Sequence, residues 1–333
     1  MFSADRAPNR TVLVLTLGGT IAMTRTAATP GVAPTLTGSD LVGAVPGLQG
    51  TDEVTVEDFR QLPGASLATS DIVSLVERIS RAIREGFVGV VVTQGTDTLE
   101  ETSYLTDLHY QGAMPVVFTG AMRNAASAGA DGPANLLAAV QTARSADARG
   151  AGVLVVLGDE IHAARHVRKT HTTSPGAFGS PNTGPLGHVV EGAARFHQLP
   201  KPVAPLPLPV GELPQVEIVT ASLGSSGTLL KGLEGEVSGL VVAAFGVGHV
   251  PESWCSRLEA LAAAMPVVLA SRIGTGPILT STYGFAGSES DLFARGLIGA
   301  GTLDPYKARL LLAALLAADT PRTEIAKAFL DRS

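Results

Sequence analysis

Short, unbroken apolar runs alternate along this chain with stretches whose apolar residues recur every three to four positions. The runs cover residues 12–17, 89–93, 115–119 and 151–157, then 216–220, 239–244 and 266–270. Each is nearly all apolar and rich in valine, with no polar alternation. That is the pattern of a parallel strand covered on both faces. Between the runs, Ile72, Val73, Leu75, Val76, Ile79 and Ile83 repeat at helical spacing, with Ser70 read as the cap at the start and Gly86 at the end. Thr98 and Glu101 have capping-box spacing ahead of Leu105 and Leu108, and Asp131-Gly132-Pro133 puts a proline at a first helical position before residues 134–143. Two further helices are expected around residues 305–318 and 321–331. The alternation of strand and helix predicts an α/β fold with a parallel doubly wound sheet.

The alternation breaks once. Pro200, Pro202, Pro205, Pro207, Pro209 and Pro214 crowd one stretch, and proline fixes φ and removes N–H donors, so the stretch reads as an extended, semi-rigid linker. The predicted organisation is an N-terminal domain over residues 1–195, a linker over 196–214 and a smaller C-terminal α/β domain over 215–333.

Composition narrows the functional classes. Apolar residues make up 45% and charged residues 16% of the chain, which excludes intrinsic disorder. A net charge of −6 argues against a nucleic-acid binder. One cysteine excludes a disulfide scaffold and any multi-cysteine metal site. The apolar run over residues 310–318 falls well short of the roughly 18–20 residues a membrane span needs. Arg6 and Arg10 before residues 11–23 resemble a short signal peptide, but the run contains Gly18-Gly19 and no cleavage pattern follows. The expectation is a cytoplasmic protein.

Candidate chemistry gathers where strands end. Leu17-Gly18-Gly19-Thr20-Ile21 follows the first strand, where two glycines let the backbone approach a ligand and Thr20 supplies a hydroxyl. The G-x-G-x-x-G spacing of a dinucleotide fingerprint is absent. Thr93-Gln94-Gly95-Thr96-Asp97-Thr98-Leu99-Glu100-Glu101 also leaves a strand and opens a helix. Thr96 and Asp97 therefore sit where helix N–H groups point at a polar ligand. Glu100 and Glu101 read as solvated first-turn acids. Thr119-Gly120-Ala121-Met122-Arg123 ends a third strand, with backbone carbonyls available to the same crevice.

The fourth stretch is Arg168-Lys169-Thr170-His171-Thr172-Thr173. Lysine is scarce: positions 169, 201, 231, 307 and 327 are the only ones among 24 basic residues. A desolvated lysine can serve as a base where arginine cannot. A threonine hydroxyl is a poor nucleophile without a base nearby, so Thr20, Thr96, Asp97 and Lys169 together suggest an acyl-transfer site without a metal. His162 and His166 have i,i+4 spacing without an HExxH arrangement and read as partly exposed polar residues; Cys255 beside Trp254 reads as a buried small side chain. There is no P-loop and no G-x-S-x-G elbow.

At these residues the sequence resembles the bacterial L-asparaginase/glutaminase-asparaginase family. The matching stretches are Gly18-Gly19-Thr20-Ile21, residues 94–102 (QGTDTLEET), Gly120 to Arg123 with residues 130–136 (ADGPANL), and Arg168 to Thr173. The resemblance implies hydrolysis of L-asparagine, with L-glutamine or another small amide as the alternative substrate and no cofactor. It implies Thr20 as the nucleophile of an acyl-enzyme, with Thr96, Asp97 and Lys169 activating a hydroxyl or water. Asp97 would also bind the substrate ammonium, with Thr96, Gly19, Gly95 and the Ala121 carbonyl lining the substrate. Gly64 and Ser66 stand at the usual carboxylate-binding turn. A homotetramer or homodimer is implied, in which a partner's C-terminal domain contributes His249 and Tyr283. The sequence departs from the family pattern at Leu17, which replaces a threonine, at Gln94, which replaces a histidine, at Pro63-Gly64-Ala65-Ser66, where a serine-glutamine pair is usual, and at His249, where an asparagine is common; no tyrosine lies between Ile21 and Arg60, where the lid over residues 24–37 usually carries one. A different class, a non-catalytic amino-acid binding protein, would share the crevice but has no need of the two threonines, aspartate and lysine together.

Overall fold

The structure is a computed structural model and describes residues 11–19, 21, 23–25, 32–34, 36–50 and 53–332. Contacts divide the chain into two units between Pro205 and Leu206, inside the proline-rich stretch.

The first unit contains strands β1 (Val12–Thr16), β2 (Met23–Arg25), β3 (Val32–Pro34), β4 (Val54–Asp58), β5 (Gly89–Thr93), β6 (Val116–Thr119), β7 (Val153–Leu157), β8 (Glu160–Ala163), β9 (Arg168–Lys169), β10 (Phe178–Gly179), β11 (Gly187–Val190) and β12 (Ala193–Phe196). Its helices are α1 (Gly38–Gly43), α2 (Thr69–Glu85), α3 (Leu99–His109) and α4 (Gly132–Arg144). The main sheet has the order β12-β11-β8-β7-β6-β5-β1-β4.

The five strands from β4 to β7 are parallel. Four of them, β1, β5, β6 and β7, are the unbroken apolar runs and are buried on both sides; β4 at the edge is partly exposed. Leu13, Leu15, Val90, Val92 and Phe118 face Leu75 and Ile79 of α2 and Leu99 of α3. Val12, Val14, Val91 and Val117 face Leu41 of α1 and Leu136, Ala139 and Val140 of α4. The connection order places the site. From β1 the chain passes to β4 on one side, then crosses to β5 on the other. The carboxyl ends of β1 and β5 therefore mark the topological switch point, the place where such sheets bind ligands.

Three antiparallel strands, β8, β11 and β12, extend the sheet beyond β7. They are four residues each and broken by Glu160, His162, His188 and Arg195, so no apolar run announces them. This corrects the histidine reading. His162 lies on β8, not on a helix, and is fully buried, with Nδ1 3.0 Å from Ser180 Oγ and Nε2 3.1 Å from Glu160 Oε2. Burial holds its pKa below the ordinary value, Glu160 opposes that shift, and His188 reinforces it. Below about pH 6.5 the unfolded chain takes up this proton before the folded one does, so stability falls as pH drops from there toward the folded-state pKa. Melting temperature between pH 7 and 5 is therefore expected to fall more steeply for the wild type than for His162→Gln; parallel curves would remove His162 from the acid response.

Two expected caps are also corrected. The α2 N-cap is Ala68, whose N–H donates to the Asp71 carboxylate at 3.0 Å; Ser70 lies inside the helix. Gly86 does close α2 in the left-handed conformation, at φ 87°. Thr98 precedes α3 but makes no capping bond, because its hydroxyl is engaged elsewhere. Pro133 stands in the first turn of α4 as expected.

The second unit carries the parallel strands β13 (Val216–Thr220), β14 (Gly239–Ala244), β15 (Val267–Ser271) and β16 (Ile298–Gly299), with helices α5 (Cys255–Ala264), α6 (Glu289–Ala294), α7 (Pro305–Ala317) and α8 (Arg322–Arg332). Trp254 is its largest fully buried side chain, and Cys255 beside it is buried as read from the sequence. Among the described residues no helix is long and apolar enough to cross a membrane.

Candidate active site

Backbone contact builds the floor of the crevice. Gly18 and Gly19, after β1, have φ of 95° and 91°. A Cβ on Gly19 would stand 2.1 Å from the Gly95 nitrogen, so the loops after β1 and β5 touch backbone to backbone. A Cβ on Gly64 would stand 3.2 Å from Thr98 Oγ1 and 3.3 Å from the Gly95 carbonyl oxygen. Glycine is required at position 19 because only an absent side chain admits this approach at positive φ. Gly19, Gly64 and Gly95, named as substrate-lining residues, thus do converge.

Polar side chains then bind the loops together. Gln94, fully buried, accepts from Thr102 Oγ1 at 2.7 Å and donates through Nε2 to Thr98 Oγ1 at 3.0 Å. The Thr98 hydroxyl donates to the Gly64 carbonyl at 3.0 Å. This chain satisfies a buried amide that would otherwise be costly. It also explains why glutamine suits the position and why Thr98, at the N-cap position of α3, makes no side-chain capping bond. Ala121 follows β6 and is buried. Its turn is held by Asp131, which accepts from the Met122 and Arg123 N–H groups at 3.0 and 2.9 Å. Asn135 donates to the Gly120 carbonyl at 3.0 Å.

Three of the candidate side chains meet beside this floor. Thr96 is buried in the loop leaving β5, and Asp97 is exposed. Lys169 comes from the two-residue strand β9, distant in sequence. Its Nζ lies 3.0 Å from Thr96 Oγ1 and 3.1 Å from Asp97 Oδ1, with 17% of its side chain exposed. An ammonium donates in both contacts; a neutral amine in the same place could accept the Thr96 proton. Ser66 is exposed, at the end of a 3-10 turn over Gly64–Ser66 whose first residue is buried. Thr20, together with much of the expected lid, lies outside the described residues.

Glu100 corrects the sequence expectation. It is buried rather than solvated, and its Oε2 accepts the Lys169 backbone N–H at 2.7 Å. A Glu-Glu pair in a first helical turn reads as surface from sequence alone, and nothing in the spacing distinguishes the buried member. Glu101 is half-buried.

In the second unit, His249 Nε2 lies 3.2 Å from Glu289 Oε2, and its ring meets Tyr283 and Phe285 edge-on at 4.9 and 5.0 Å. Burial alone would raise the Glu289 carboxyl. The Tyr283 and Thr282 N–H groups, with His249, hold it below the ordinary range instead. Glu289 escaped the sequence reading because its role is to anchor the two named residues. Among the described residues, no group of three or more His, Cys, Asp or Glu side chains is arranged to hold a metal ion.

Comparison with known proteins agrees with the geometry over nearly the whole chain. Residues 11–202 match the family model "Asparaginase, N-terminal", and residues 215–329 match "Glutaminase/Asparaginase C-terminal domain". The chain is 39% identical over 316 residues to a "Probable L-asparaginase" of Deinococcus radiodurans, covering 94% of each. It is 31% identical to a "Glutaminase-asparaginase" of Pseudomonas fluorescens, covering 96% of this chain and 89% of the relative. The crystal structure of a probable cytoplasmic L-asparaginase from Campylobacter jejuni superposes with a TM-score of 0.86 at 32% identity, covering 96% and 99% of the two chains. With the switch-point crevice, the glycine floor and matches to both domain models, the chain belongs to the asparaginase family.

Proposed function

We propose that this chain is an amidohydrolase that converts L-asparagine to L-aspartate and ammonia through a threonine acyl-enzyme. The observation that carries the reading is the junction of Lys169 Nζ with Thr96 Oγ1 at 3.0 Å and Asp97 Oδ1 at 3.1 Å. A base, a hydroxyl and a carboxylate share one point at the mouth of the crevice. The Thr20 hydroxyl attacks the carboxamide carbon. Its proton passes to the departing nitrogen, the C–N bond breaks, and ammonia leaves. Water then adds to the threonyl ester, giving up a proton toward Thr96 and Lys169. The ester C–O bond breaks, that proton passes on to the departing Thr20 oxygen, and aspartate is freed with Thr20 and the base restored. Backbone N–H groups near Gly19 and Thr96 stabilise the oxyanion in both halves. Asp97, exposed at the rim, holds the substrate ammonium, and the Gly64–Ser66 turn receives its carboxylate.

The protein acts in the cytoplasm as a homodimer or homotetramer in which a second copy supplies His249 and Tyr283. The exposed rings of Tyr283 and Phe285 around His249 support that reading. Glutamine is the alternative substrate, favoured by the similarity to a glutaminase-asparaginase.

The test is ammonia release by the purified full chain from asparagine and from glutamine, without added metal or nucleotide. Release from asparagine is expected, and the ratio of kcat/KM values assigns the preferred amide. No release from either amide, with asparagine still raising the melting temperature, would make the chain an amino-acid binding protein instead.

A further inference from the structure

We infer that Glu100 is a positioning residue that clamps the base Lys169 onto the Thr96-Asp97 loop. This rests on the amidohydrolase reading above and deepens it by naming the group that sets the geometry of the base. Strand β9 is only two residues long and, among the described residues, pairs with the equally short β10, Phe178 opposite Lys169 and Gly179 opposite Arg168. Beyond it, Thr170 closes the hairpin by donating its N–H to the Ala177 carbonyl. So short a hairpin does not by itself fix where a long lysine side chain ends, because small pivots at the backbone are amplified at Nζ.

Glu100 removes that freedom. It sits in the first turn of α3, four residues after Thr96. Its Oε2 accepts the Lys169 N–H at 2.7 Å, with Arg168 Nε 4.0 Å away. Only 8% of the residue is exposed. Burying a carboxylate is costly unless charge-assisted hydrogen bonds compensate it, and here the compensation is directed at the residue that carries the base. The helix N-terminus offers a further favourable field for the carboxylate. The same short segment therefore holds Lys169 at both ends: Glu100 at its backbone N, Thr96 and Asp97 at its Nζ. The distance from amine to hydroxyl is then set within one rigid turn and does not depend on the rest of the hairpin.

The experiment compares wild type, Glu100→Ala, Glu100→Gln, Lys169→Met and the Glu100→Ala/Lys169→Met double variant. Ammonia release and amide hydrogen exchange at Lys169 are both followed. Misplacement of a catalytic group by about 1 Å costs on the order of 10²-fold. Glu100→Ala is therefore expected to lower kcat by about 10- to 10²-fold while KM stays within about 2-fold. Glu100→Gln keeps an acceptor oxygen and is expected to recover most of the loss. In the Lys169→Met background, Glu100→Ala should add less than about 2-fold, since residues acting through one another are non-additive. The Lys169 amide should be protected in wild type and Glu100→Gln and exposed in Glu100→Ala.

Wild-type kcat in Glu100→Ala, an equal defect in Glu100→Gln, or a full additive loss in the double variant would overturn the clamp. An unprotected Lys169 amide in an active wild type would overturn it as well. A wild type that releases no ammonia yet protects this amide would sink the amidohydrolase reading, and with it the catalytic part of the inference, while leaving the anchor standing.

Discussion

Replacing Lys169 by methionine is expected to lower turnover on asparagine by about 10²- to 10⁴-fold, the range associated with loss of a general base. Methionine keeps an unbranched stem of nearly the same length and removes the amine. The lost contacts are those to Thr96 Oγ1 and Asp97 Oδ1. The ion pair to Asp97 has 70% of the aspartate side chain exposed. Exposed pairs of this kind contribute at most about 1 kcal/mol, so folding should survive the change. Steady-state kinetics with circular dichroism separates the two effects. A folded Lys169→Met variant with near-wild-type turnover would take Lys169 out of the mechanism.

Gly19→Ala should be as damaging, through the fold rather than the chemistry. Its Cβ would stand 2.1 Å from the Gly95 nitrogen and 2.2 Å from the Gly95 Cα, and the obstruction is backbone that cannot rotate away. The residue also occupies φ 91°, where L side chains are strained by roughly 1–3 kcal/mol. Overpacking adds about 1–3 kcal/mol. Together these predict a loss of about 2–6 kcal/mol in chemical denaturation. Any folded fraction should show activity reduced by at least about 10²-fold, since Thr96 moves with Gly95. Gly43→Ala is the control: it lies in α1 with nothing within 4 Å of a Cβ and should be neutral or slightly stabilising. Wild-type stability and activity in Gly19→Ala would show that the two loops are not in contact.

The seven valine-rich runs correspond to β1, β5, β6, β7, β13, β14 and β15 within about two residues at either end. They were legible because a strand buried on both faces must be apolar throughout, and that requirement is local. Strand β4, with the half-exposed sequence VTVED, was not, since it lies at the sheet edge with one side open to α1 and solvent. The antiparallel extension was missed for a similar reason, and with it the burial of His162. Its burial depends on Ser180, which arrives from a different hairpin. Thr98 and Ser70 show the limits of cap reading. Each has the residue type and spacing for a cap, but Thr98 is drawn off by the Gly64 carbonyl and Asp71 takes the α2 terminus.

Sequence by itself determined the strand ends and which polar side chains stand at them. Glycine pairs, a lone lysine ahead of the linker and threonines after apolar runs are choices that local backbone geometry and side-chain type make visible. Tertiary structure alone decided which of these groups touch. Lys169 and Thr96 are separated by 73 positions and meet only because β9 folds back over the β5 loop. Glu100, indistinguishable from its neighbour Glu101 in the one-dimensional string, became an internal anchor because a backbone N–H from β9 stands opposite it and not opposite Glu101. Side-chain type is written residue by residue; which hydrogen-bond partner meets it is a property of the folded chain, where entropy has already been spent on bringing distant segments together.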